Sequence, residues 1–138
     1  MLFKKKNKEN EDDNLIKITA LLVHAAKIDQ NYSPKEEKII KKAILEINKK
    51  ETDIEKIMEN AIEIEKNSNQ ILNFTKEVKN MNHEKKIKII EILWRIIYSN
   101  NEADMFETNL MRRLAGLLYI DSKIMGDIKE KIRKEILK

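Results

Sequence analysis

Three observations on the 138-residue chain predict an all-α fold, a bundle of about seven helices. Apolar residues recur at helical spacing from Leu15 onward, and strand-like alternation is missing. Segment breakers are scarce: Pro34 is the single proline, and Gly116 and Gly126 are the only glycines. The third observation is a repeat. LLVHAAKIDQNYSPKEEKII around Asp29 and ILWRIIYSNNEADMFETNLM around Asn100 align without a gap, at an offset of 100 − 29 = 71 residues. Leu22 then pairs with Leu93, Ser33 with Asp104, Glu36 with Glu107 and Ile39 with Leu110. The bundle is therefore expected to contain two similar helix-loop-helix units, each with a polar loop between its helices.

Residues 1–13 carry Lys4, Lys5, Lys6 and Lys8 against Glu9, Glu11, Asp12 and Asp13, with little apolar surface. That composition predicts a flexible charged tail, leaving 14–138 as the helical domain. The first helix, 15–29, sets Leu15, Ile18, Leu21, Leu22, Val23, Ala25 and Ala26 around a stripe with Lys17, His24 and Lys27. The second, 34–48, starts at Ser33-Pro34-Lys35-Glu36, a capping box with proline at the first helical position. Thr52-Asp53-Ile54-Glu55 repeats that design for a third helix over 52–66, and a fourth spans 69–80. Asn82 or His83 opens the fifth, 83–99, where the polar stripe narrows to Lys88, Glu91, Arg95 and Ser99. A helix apolar on most sides is surrounded by others, so the first and fifth belong at the centre. Asp104-Met105-Phe106-Glu107 opens the sixth, 105–118, within which Gly116 is expected to allow close helix approach. The seventh covers 122–137.

Cysteine is absent, which excludes disulfides, thiolate metal sites and cysteine nucleophiles, and suits a cytoplasmic protein. No apolar run reaches the roughly 20 residues of a membrane span. The net charge of +4 comes from lysines and acids interspersed as on solvated helix faces, which makes nucleic acid an unlikely partner.

Chemistry concentrates in the two loops. Asp29, Asn31, Ser33, Glu36 and Glu37 in one copy face Asn100, Asn101, Glu102, Asp104 and Glu107 in the other. Oxygen-rich loops suit hard divalent cations such as calcium or magnesium, and Asp29, Glu36, Asn100, Asp104 and Glu107 are the candidate ligands. An EF-hand is excluded, since Pro34 stands where its glycine is required and Ile40 where its bidentate glutamate is required. Helix capping explains the same side chains without any metal, at about 1 kcal/mol per cap. A di-iron bundle needs Glu-x-x-His, which neither His24 nor His83 completes. No phosphate loop, metalloprotease motif or nucleophile elbow is present, and no base-plus-nucleophile pair suggests an enzyme. An alternative reading is a peripheral contact with membrane or nucleic acid through Lys4–Lys8 and the C-terminal Lys129, Lys131, Arg133 and Lys134.

The stretch LWRIIYSNNEADMFETNLMRRLAGLLYI, through Leu93-Trp94, Tyr98, Glu107, Arg112-Arg113 and Ala115-Gly116-Leu117, resembles the tellurite-resistance TerB family. That superfamily also includes the N-terminal domain of the co-chaperone DjlA. The similarity covers roughly 15–137. It implies a non-enzymatic helical domain of a stress response, with another protein of that system as partner and metal held by acidic residues. Oligomeric state is not implied. Gln30 and Asn101 replace both family glycines, and Asn100 replaces the second Asp, which removes a formal charge from any shared cation site.

Overall fold

Polar side chains that can bond to backbone set most of the helix starts. The computed structural model describes residues 2–28, 32–47, 53–68, 71–99 and 105–136, with side chains from Asp13 onward. Among these residues there are seven helices and no strand: α1 (Leu2–Lys27), α2 (Pro34–Ile47), α3 (Ile54–Asn67), α4 (Leu72–Lys79), α5 (His83–Tyr98), α6 (Met105–Leu117) and α7 (Ser122–Ile136). Asn82 caps α5 by accepting from the Lys85 N–H at 2.9 Å. The cap of α3 is Asp53, which accepts from the Lys56 N–H at 3.2 Å, one residue later than the expected Thr52. Thr52 itself lies outside the described residues.

Two expectations need correction. The backbone is already helical from Leu2, where the charge pattern of 1–13 predicts a tail. Once Leu15–Lys27 is held by packing, each residue added upstream gains a hydrogen bond without a new nucleation cost, and 2–14 contains no proline or glycine to stop it. The second concerns Gly116, which has open space where a Cβ would stand and so permits no close approach. Its part is instead in the end of α6. The Ile120 N–H reaches the Ala115 carbonyl at 2.9 Å and the Tyr119 N–H the Gly116 carbonyl at 3.3 Å, the paired bonds of a Schellman motif. Tyr119 takes the left-handed position at φ 57°, where glycine or asparagine is usual. Lys86 Nζ donates to the Leu118 carbonyl at 3.0 Å and so satisfies a further orphan acceptor of this turn.

Packing follows the repeat and extends it. α1 lies chiefly against α3 and α4, α5 against α7, and α1 and α5 touch each other. Leu21, Leu22, Val23, Ala25 and Ala26 of α1 are fully buried, as are Leu93, Ile96 and Ile97 of α5. The 71-residue offset also carries Ile57 onto Ile128 and Ala61 onto Ile132, all four buried. The repeated unit is thus three helices, α1-α2-α3 and α5-α6-α7, with α4 as an unrepeated connector. Outside its own unit α2 packs on α5, whereas α6 packs on α4. Among the described residues no helix is long and apolar enough to cross a membrane.

Candidate functional site

Glu36 and Glu107 occupy equivalent places in the first turns of α2 and α6, and both are buried, at 1% and 3% exposure. A carboxylate taken from water needs replacement donors. For Glu36 these are the Ser33 backbone N–H at 3.2 Å and the Ser33 hydroxyl at 3.0 Å, both on Oε1. The Glu36 N–H in turn donates to Ser33 Oγ at 3.3 Å, which closes the capping box read from the sequence. The first-turn position adds the favourable end of the helix dipole to both acids.

The end of α5 lies within reach of the start of α2. Lys35, next to Glu36, extends its ammonium to the Ser99 carbonyl at 2.9 Å. One residue earlier, burial raises the Tyr98 phenol above its ordinary pKa; Arg133 opposes that shift, and the charges of Glu130 and Glu107 add to it. Ser99 is therefore tied to the first turn of α2, and the Glu107 carboxylate acts on Tyr98 through its charge. Tyr32 completes this region. Its hydroxyl is buried and, among the described residues, has no hydrogen-bond partner. Burial, reinforced by Glu37 and Glu36, pushes its pKa up to about 12, so the phenol keeps its proton at neutral pH.

Of the five candidate ligands, Glu36 and Glu107 are thus buried, in the first turns of α2 and α6. Asp29, Asn100 and Asp104 lie outside the described residues. Among the described residues no group of three or more His, Asp or Glu is placed to hold a metal ion. The carboxylate oxygens of Glu36 and Glu107 suit a hard cation better than a soft one. His24 is a packing residue: its Nδ1 lies 3.3 Å from Glu65 Oε1, while Lys27 Nζ sits 2.7 Å from Oε2 of the same carboxylate. The basic residues of α7 are partly answered by acids, Lys131 by Glu91 at 3.4 Å and Arg133 by Glu130 at 3.7 Å. Sequence reading missed Tyr32, Lys35 and Glu65. Tyr32 carried a signal, as the one aromatic residue in a polar run whose counterpart is Ala103. Lys35 and Glu65 carried none, because their partners are distant in sequence.

A family model described as tellurite resistance protein TerB matches residues 15–130. No curated protein and no solved structure matches the chain.

Proposed function

The chain belongs to the TerB family of tellurite resistance proteins, and from that premise we propose a non-enzymatic binding module of a stress response that holds a divalent cation between its twin loops. Asp29, Glu36, Asn100, Asp104 and Glu107 would supply the oxygens, with calcium or magnesium as the ion. The observation that supports this reading best is the burial of Glu36 and Glu107 at the same place in both copies, the first turn of the second helix. A cap needs no such burial. Most capping carboxylates stay in water, where they hold a backbone N–H equally well. Asn100 in place of an aspartate lowers the charge of the set, so binding should be weak, with Kd about 10⁻⁴ to 10⁻³ M.

Calorimetric titration with calcium, magnesium, manganese and zinc tests the reading. One ion per chain is expected. Asp29→Ala should weaken binding, and Glu107→Gln, which keeps the shape of the buried side chain, should do the same. Silence across the series at millimolar ion, or binding untouched by both variants, rejects it.

A further inference from the structure

Beyond the cation reading and independent of it, we propose that the groove between α2 and α5 is the docking site for a short acidic amphipathic helix of a partner protein. The groove has a volume of about 290 Å³ and opens to solvent along one side. From α2 come Ile39, Lys42, Ala43 and Glu46; from α5 come Lys88, Ile92 and Arg95. These positions recur at three- and four-residue steps, so each helix contributes one continuous stripe. Ile39, Ala43 and Ile92 make an apolar floor, and three cations against one carboxylate make the rim.

The rim charge is poorly compensated. Glu46 is taken by Lys88 at 3.2 Å. Arg95 has, among the described residues, a single long ion pair, 3.6 Å to Glu135. Lys42 is exposed and, among the described residues, has no ion-pair partner. A half-open groove of this size encloses too little of a small molecule to hold it well, whereas a helix laid along it needs no enclosure.

The chain itself shows what fits such a face. The 71-residue offset carries the groove's Lys88, Ile92 and Arg95 onto Lys17, Leu21 and His24 of α1, and Ile39 and Ala43 onto Leu110 and Leu114 of α6. α4 packs against both of those helices. It buries Phe74 and Val78, four residues apart, and sends Glu77 to Lys17 at 3.2 Å. Lys17 is the counterpart of Lys88. In one copy a short helix with an apolar i, i+4 pair and an adjacent acid covers the face; in the other copy the corresponding face is the open groove. Its rim carries the charge opposite to that acid.

Selection of a phage-displayed library of helical peptides on the full chain, followed by amide-shift mapping with the selected peptides, tests this. The expected peptides carry an apolar pair four residues apart flanked by Asp or Glu, and the shifts fall on α2 and α5. Lys42→Glu, a change at an exposed position, should weaken them about tenfold while Lys42→Arg leaves them bound, and binding should fall with added salt. Circular dichroism checks that both variants are folded. Recovery of peptides without acid enrichment, shifts confined to another face, or indifference to Lys42→Glu would overturn the assignment. Competition by free succinate as strong as by peptide would make this a small-anion site and overturn it equally.

Discussion

The two three-helix units share one design, yet their outer faces differ. In both, the central helix lies against the third helix of its unit, α1 on α3 and α5 on α7, and a cross-helix carboxylate meets the equivalent residue. His24 finds Glu65, and its counterpart Arg95 finds Glu135. The units part company at the second helix. α2 leans on α5 across a groove, while α6 is met by α4. A duplicated sequence therefore gives duplicated interiors, because burial patterns travel with the residues. The outer faces are set by whatever connects the copies, and here that connector covers one face.

The largest effect should come from removing the cover. Phe74→Ala deletes a side chain at 1% exposure and is expected to cost about 4 kcal/mol in urea denaturation. Ile39→Ala, on the open groove, removes a partly buried side chain and should cost less than half as much. Equal costs would mean that the two faces are alike after all.

Tyr32 has no aromatic counterpart, so it sharpens the comparison of the loops. Tyr32→Phe removes a buried hydroxyl that has no partner among the described residues, and should stabilise by about 1 kcal/mol at neutral pH. The pH dependence has a definite sign. The folded phenol titrates near pH 12 and the unfolded one near 10. Between these values the unfolded chain binds fewer protons, so stability falls as pH rises. The phenylalanine variant should show a shallower alkaline decline, read from denaturation at pH 7, 10 and 11.

The smallest effect concerns the end of α6. Tyr119 at φ 57° corresponds by the 71-residue offset to Asn48, a residue type that accepts this conformation. Tyr119→Asn should raise the melting free energy by about 0.5 kcal/mol. Loss of the Lys79 ammonium over the Tyr119 ring, at 4.8 Å, limits the gain. A loss of stability would mean that the ring contact outweighs the backbone strain.

Helix number, order and several of the starts were legible because caps and apolar periodicity are local. Ser33, Asn82 and the Asp53 turn lie within three residues of the N–H groups they satisfy. The helical backbone of 2–14 was not legible from composition, which carries no information on whether a packed helix lies immediately downstream. Gly116 was misjudged for a related reason: a glycine in an apolar run reads as a close contact until the turn bonds after it are known. At the candidate site, Glu36 and Glu107 were marked by the repeat, but their burial was not. Neither was the burial of the Tyr32 hydroxyl.

The residues by themselves determined a helical chain written twice, its central helices, its family and its paired acids, because each of these depends on neighbours within a few turns or on a fixed offset. Only the folded structure decided that α4 covers one copy and leaves a cationic groove on the other. It also decided that Lys35 reaches the Ser99 carbonyl at the end of α5. Those facts depend on which distant surfaces meet, and the free energy of burying them is set by shape and charge across the bundle rather than along the chain.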